Sequence, residues 1–425
     1  MASVISRCPI VLFLHHRDLR IVDNRGLETA CAYAKERGAV VAPVFIFTPS
    51  QVGRSAPIKS YMSIACMLTG LGELEEAYSG SLGFYYGETA DVVRQFKDNV
   101  VGVFECADYT PYAKKRSAAL KAILESSHIH YEQVDDIYIN TPGSVLNGTG
   151  KPYQKFTPYY EASLKKRVDR PSGACRGPFI KKPIGLKSSV SLKEMVGRLI
   201  KGTSSESRAY KGGREEGLRL LANLPANYAE IHDILAERTS GLSVHNHYGT
   251  VSIREVYWKA KERGLDALVR QLYWRDFYGQ IVAFFEDLYG VGAYEFQTSA
   301  HADARYESLS AAKAKVLKAW KEGKTGVPLV DAAMRQMNET GFMHNRARLV
   351  AASWLVKDMG IWWRWGERYF AERLLDYDFS QNFGNWCWVA SVLPFSQAPF
   401  RRHDPETTAE RLDKDGIYVR RWLGE

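Results

Sequence analysis

The chain has 425 residues, of which 45% are hydrophobic and 25% charged, and carries a formal net charge of +9. That length exceeds one ordinary core and predicts two or three domains. The composition excludes a disordered chain, and no apolar stretch approaches the length of a membrane-spanning helix.

The opening run Pro9–Leu14 is short for a signal segment and is followed at once by Asp18-Leu19-Arg20, so it reads as a first strand. Apolar, β-rich runs recur at Ile10–Leu14, Val40–Phe47, Leu82–Tyr86, Val100–Phe104 and Ile129–Val134. Amphipathic segments at Leu27–Arg37, Ile58–Tyr78, Ala90–Phe96 and Ala113–Glu125 alternate with them. Such alternation predicts an α/β domain with a five-stranded, parallel, doubly wound sheet. A ligand on it is expected beyond the carboxyl ends of the strands. No GxGxxG follows the first strand; the turn reads His15-His16-Arg17-Asp18, so a classical dinucleotide site is not indicated. Neighbouring strand residues point to opposite faces, which argues against His15 and His16 sharing a metal. The six cysteines are scattered without a CxxC pair, which argues against zinc and for a reducing, intracellular compartment, cytoplasmic or nuclear.

Residues 136–205 are rich in Gly, Pro, Ser and Lys without sustained periodicity, and read as a long, partly helical connector. Residues 151–220 hold 17 Lys/Arg against 6 Asp/Glu, a net of +11, leaving −2 for the rest of the chain. A basic field of that kind suits a polyanion such as nucleic acid, and equally a solvated connector. From about 206 to 400 the period is helical, as in Ile253-Val256-Tyr257-Ala260 and Leu329-Ala332-Ala333-Gln336. The expected units are therefore 1–135 (α/β), 136–205 (basic linker) and 206–425 (all-α).

All ten tryptophans fall in this last unit, five of them within the 27 residues from Trp362 to Trp388. Such density reads as an aromatic core, or as oxidisable stacking platforms for a flat ligand. Thr239-Ser240-Gly241-Leu242-Ser243 combines hydroxyls and a glycine that can cradle phosphate, or simply cap a helix. Gln271 and Trp274 share a helical face, so an amide can bond the edge of a flat group while an indole stacks on it. Asn345 and Arg348 also share a face. An Arg–Asp pair at such a place is costly to bury unless satisfied, and often frames a charged cofactor.

These motifs carry a resemblance. TSGLS (239–243), WRDFY (274–278), MHNRAR (343–348), GERYF (366–370), DYD (376–378) and the N-x-G-N-W-x-W run (382–388) resemble the photolyase/cryptochrome flavoproteins, most of all class I-type cyclobutane pyrimidine dimer photolyases. Arg17-Asp18-Leu19-Arg20 with Asp23-Asn24, Arg116 and Phe156-Thr157-Pro158 fit the same family in order, so the resemblance spans residues 10–424.

The resemblance implies FAD in the helical unit, reduced in the active state, and an antenna pigment of unspecified identity in the α/β unit. Tyr228 and the loop Thr239, Ser240, Gly241, Leu242 and Ser243 would hold the phosphates. Arg275, Arg348, Asp376, Tyr377 and Asp378 would surround the flavin, with Asn382 facing its N5 atom. Trp386 and Trp363 match the proximal and middle electron donors. The distal donor has no tryptophan; its place falls near Ser310, with Tyr306 the closest oxidisable ring and Trp320, Trp362 or Trp365 as substitutes. Gln271, Trp274, Asn345 and Trp388 would hold a flipped pyrimidine dimer, and Arg346 and Arg401 DNA phosphates. The implied activity is blue-light-driven repair of DNA by a monomer.

Gln271 stands where dimer photolyases carry Glu, and Leu349 where they carry Met. Gln271 favours a cryptochrome or a (6–4) photolyase as the alternative, whereas Asn345 speaks against (6–4) repair. The end at Glu425 implies no cryptochrome signalling tail.

Overall fold

The computed structural model describes residues 8–53, 56, 58, 60–96, 99–200, 211–284, 309–391 and 397–424. Tyr306 lies outside the described residues.

Five parallel strands, β1 (Ile10–His15), β2 (Val40–Phe47), β3 (Gly83–Tyr86), β4 (Val100–Cys106) and β5 (His130–Val134), form one sheet in the order β3-β2-β1-β4-β5. All six residues of β1 and seven of the eight residues of β2 are buried, as expected for strands covered on both faces. Two apolar cores lie on either side: Val11, Phe13 and Phe45 face one, and Leu12, Leu14 and Val44 the other. The chain reverses direction across the sheet between β1 and β4, so the crevice at their carboxyl ends is the topological switch point.

The connector is ordered against this sheet. Val41 donates to Pro178 O (2.8 Å) and Ile180 donates to Val41 O (2.9 Å). Tyr86 donates to Ser188 O (2.9 Å) and Val190 to Phe84 O (3.0 Å), antiparallel to β3, so the connector covers the β3 edge and removes an open template for aggregation. A short helix, Phe156–Ser163, then docks on the helical part.

That part centres on helices Asp266–Phe284, Ala311–Glu322, Pro328–Thr340, Asn345–Ser353, Trp363–Arg373 and Phe379–Ala390. A π-helical turn, Trp354–Asp358, follows the fourth of these. Ser252 and Glu255 form a reciprocal capping box that starts helix Ile253–Glu262. Trp320, at 0% exposure, anchors the core and donates its indole N–H to Ala351 O (3.0 Å). Truncating such a residue to Ala costs about 3–5 kcal/mol.

A buried charge network joins the sheet's loops to the helices. Arg254 bonds Asp23 (2.9 Å) and Asp136 (2.7 Å), and Asp136 also takes Arg20. Four charges of alternating sign offset their own desolvation only as a complete set, so removing one member is expected to cost several kcal/mol. At the same joint Gly249, with φ +60°, passes Arg17 so closely that a Cβ would lie 2.2 Å from its carbonyl oxygen. Among the described residues no helix is long and apolar enough to cross a membrane.

Candidate active site

Helix Asn345–Ser353 starts on His344, whose Nδ1 accepts the Arg346 N–H at 3.2 Å. Burial pushes the His344 pKa down to about 4, which keeps that nitrogen an acceptor. The cap places Asn345 exposed at the first turn and Arg348 half-buried one turn on. Arg348 donates to Met343 O (2.8 Å) and to both oxygens of buried Asp376 (3.0 and 2.9 Å). The expected Arg–Asp pair is therefore formed, and it is charge-assisted.

Asp378 caps helix Phe379–Ala390 by accepting from Gln381 N–H at 3.2 Å. It also takes Arg17 from the loop after β1, and His247 lies 3.7 Å away. Burial opposes its charge, but Arg17 and His247 outweigh burial and hold the carboxyl well below the usual range. One turn further, Asn382 donates its amide to Glu367 O (3.1 Å) and Oε1 (3.0 Å). The Glu367 carboxyl is pushed up by burial, with Arg364 acting against that shift. Glu367 received no role from the sequence; its signal was its place one turn after Trp363 within GERYF.

Tyr228 is buried and stacks on His232 at 5.2 Å; burial raises its pKa to about 12. The Thr239–Ser243 loop leads into helix Ser243–Tyr248, with Leu242 buried and Gly241 at φ +68°. Arg275 donates to Asn246 O (3.2 Å), and Gln381 donates to Arg275 O (2.9 Å). This ties the loop's helix to the two long helices. Tyr377 lies between the two aspartates and lines a cavity described below.

Helices Asp266–Phe284 and Phe379–Ala390 pack together, with Tyr278 donating to Asn385 Oδ1 at 3.1 Å. On the first, Gln271 and Trp274 are both half-buried while Leu272 and Tyr273 between them are buried. Trp274 stacks on Phe156 at 3.6 Å and 7°, a contact that holds the indole plane. On the second, Trp388 is half-buried beside His403 (5.8 Å) and under Arg401 (5.7 Å). Arg346 does not stand free: it makes a two-pronged bond to Asp233, at 2.8 Å each.

Trp386 is 2% exposed and meets Trp320 edge-on at 6.3 Å. Trp320 in turn meets Tyr369 at 5.9 Å, and the Tyr369 hydroxyl donates to Asn338 Oδ1 at 2.7 Å. Trp363 lies 5.6 Å from Phe383, with Arg364 over its ring at 4.3 Å. The sequence named Trp320 only as a substitute; the fold makes it the indole neighbour of Trp386.

Two buried polar atoms in this cluster, Asn246 Oδ1 and Ser380 Oγ, have no hydrogen-bond partner among the described residues. Together with the Arg348–Asp376 pair and the loop hydroxyls, they fit a large ligand that carries both a flat polar ring and phosphates. Among the described residues no group of His, Cys, Asp and Glu could hold a metal ion. His15 instead bonds Tyr78 (2.9 Å) and His16 bonds Glu105 (2.7 Å).

A cavity of about 180 Å³ opens at the switch point of the sheet. His16, Arg17, Asp108 and Arg116 from the α/β part line it, as do His247, Tyr377 and Phe379 from the helices. The Arg116 side chain is 8% exposed and 3.8 Å from Glu105, and among the described residues its Nε has no hydrogen-bond partner.

The family model for the FAD binding domain of DNA photolyase matches residues 268–425, and that for DNA photolyase matches residues 11–174. A deoxyribodipyrimidine photo-lyase of Streptomyces griseus is 34% identical over 98% of this chain and 90% of that protein. The crystal structure of an archaeal photolyase from Sulfolobus tokodaii, which holds two FAD molecules, superposes with a TM-score of 0.82 at 32% identity over 98% of this chain and 90% of that one. A bacterial class III photolyase from Agrobacterium tumefaciens gives 0.83 at 26% identity over 100% and 88%.

Proposed function

This chain belongs to the DNA photolyase family, and from that premise we propose how its residues share the work. It is a light-dependent DNA-repair enzyme, a deoxyribodipyrimidine photolyase, with FAD as cofactor. When bound, reduced and excited by blue light, FAD supplies the electron that opens the cyclobutane ring and recovers it afterwards. The protein's part is to hold, orient and exclude water.

Tyr228, Thr239, Ser240, Gly241, Leu242 and Ser243 hold the phosphate end in this reading. Arg275, Arg348, Asp376, Tyr377, Asp378 and Asn382 frame the ring end. The observation that carries the reading is the Asn382 amide, fixed by two bonds to Glu367 and borne on a helix, Phe379–Ala390, that packs against the one bearing Arg348. An amide so fixed keeps one orientation toward a bound ring.

Gln271, Trp274, Asn345 and Trp388 take the flipped lesion, which leaves the duplex cheaply because a dimer is already poorly stacked. Arg401 and the basic 151–220 segment contact phosphates. Arg346 joins them only by leaving Asp233. Trp386 is the flavin-side electron donor, with Trp363 on one branch and Trp320 and Tyr369 on another. The second branch fills the distal gap. The switch-point cavity takes the antenna pigment, with Arg116 facing an anionic group on it. The unit boundaries 1–135, 136–205 and 206–425, and a monomeric state, belong to the same proposal.

The test is a lesion panel. Pre-reduced protein is illuminated with DNA carrying cyclobutane dimers or (6–4) photoproducts. Loss of cyclobutane dimers alone is expected. Loss of (6–4) products alone would replace this reading with the (6–4) one that Gln271 favours.

A further inference from the structure

Cys31 and Cys175 are 144 positions apart in sequence, yet their sulfurs lie 3.2 Å apart in the fold. Cys31 is buried on helix Arg25–Glu36. Cys175 is half-buried in the connector, between exposed Ala174 and Arg176. Backbone bonds on the loop after β1 fix the approach. Cys175 N–H donates to Ile21 O (2.8 Å), Asp23 N–H donates to Gly173 O (3.2 Å), and Ser172 N–H donates to Asp23 Oδ1 (2.9 Å). The chain then passes Cys31 so closely that a Cβ on Gly177 would lie 2.2 Å from its sulfur.

We propose that Cys31 and Cys175 are a reversible disulfide site, closed by a small disulfide oxidant of the glutathione disulfide class, that clamps the connector to the α/β unit. Only Cys175 is accessible enough to react first. Its thiolate attacks one glutathione sulfur, the glutathione S–S bond breaks, and one glutathione thiolate leaves and takes a proton. Cys31 then gives up its proton and attacks the Cys175 sulfur, expelling the second glutathione thiolate. Two protein thiols are oxidised and one glutathione disulfide is reduced to two thiols, so atoms and electrons balance. The acidity of the pair favours this order. The hydrogen bond with Cys31 holds the Cys175 thiol below its usual range, while that bond and burial push Cys31 up.

The clamp acts on the joint between the units. Asp23, which receives Ser172, also holds Arg254 from the helical part. The bond would close a loop containing β2 to β5 and part of the connector. A loop of that size predicts a rise in the unfolding midpoint of about 5 °C.

The experiment uses the full-length protein incubated with excess glutathione disulfide, followed by thiol counting, peptide mapping and thermal unfolding. The expected result is a fall from six free thiols to four. The mapping should find one Cys31–Cys175 linkage, reversed by dithiothreitol, with the higher midpoint in the oxidised form. Cys175→Ser should form no disulfide between protein cysteines under the same treatment. Unchanged thiols, a different linkage, or a glutathione adduct on Cys175 that never closes would overturn the site. Closure without a rise in midpoint would overturn the clamp. The mapping is done on unsubstituted protein, so it stands even if the variant fails to fold.

Discussion

Gly366→Ala places a methyl group against the indole of Trp386. An added Cβ would lie 2.1 Å from Cη2 and 2.7 Å from Cζ3 of that ring, and 2.7 Å from Cδ2 of Leu355. Neither neighbour can retreat into solvent, because Trp386 is 2% and Leu355 0% exposed. Gly366 sits inside helix Trp363–Arg373, where Ala is favoured over Gly by about 1 kcal/mol. Overpacking costs about 1–3 kcal/mol, and contacts this short belong at the upper end. The net expectation is a loss of about 2 kcal/mol. Trp386→Phe removes the two indole carbons that clash, so in that background the methyl has more room and the helix gain offsets most of what remains. Urea unfolding of the four forms should give a coupling of about 2 kcal/mol between the two positions. Equal cost of Gly366→Ala in both backgrounds would refute the packing described here.

Trp386→Phe should also abolish photoreduction of the bound flavin while leaving repair by chemically pre-reduced protein within about twofold; a collapse of both would assign Trp386 a role beyond electron supply. Trp320→Phe and Trp363→Phe should each slow photoreduction, and transient absorption that shows no effect of Trp320→Phe would remove the second branch. Gln271→Glu should strengthen dimer binding about two- to tenfold, the range of one net hydrogen bond, and unchanged affinity would show that Gln271 already compensates. His245 and His344 are each pushed by burial from 6.5 down to about 4. Their contribution is full above pH 6.5 and is lost as pH falls toward 4, on the order of 3 kcal/mol each. His403 is pushed down to about 4 as well, and burial also lowers His247, so stability measured by denaturant from pH 7 to pH 4 should fall with uptake of more than two protons beyond any from carboxylates, and His344→Gln should flatten part of that slope.

All five predicted runs coincide with β1 to β5 to within two residues; the edge strand β5, with no buried residue, was legible mainly from its place in the alternation, whereas β1, β2 and most of β4 were legible because strands covered on both faces leave continuous apolar runs. The helical faces were legible for the same reason: Gln271 and Trp274 flank two buried residues, as their spacing requires. Pairings between distant segments left no such trace. Nothing periodic links Glu367 to Asn382, Arg346 to Asp233, or Arg17 to Asp378; each bond exists because two helices, or a loop and a helix, meet in three dimensions. The scattered cysteines illustrate the limit most plainly, since two of six converge through a connector that has no repeat to read. The connector itself was expected between domains, but its backbone bonds to the β3 side of the sheet follow from single residues of irregular chain.

The central claim is tested most directly by counting cyclobutane dimers in one DNA sample treated with this protein under blue light or in the dark, with the flavin reduced or oxidised. Loss of dimers only in the illuminated, reduced sample is the predicted result. Loss in the dark, or no loss in any sample that contains bound FAD, would contradict it.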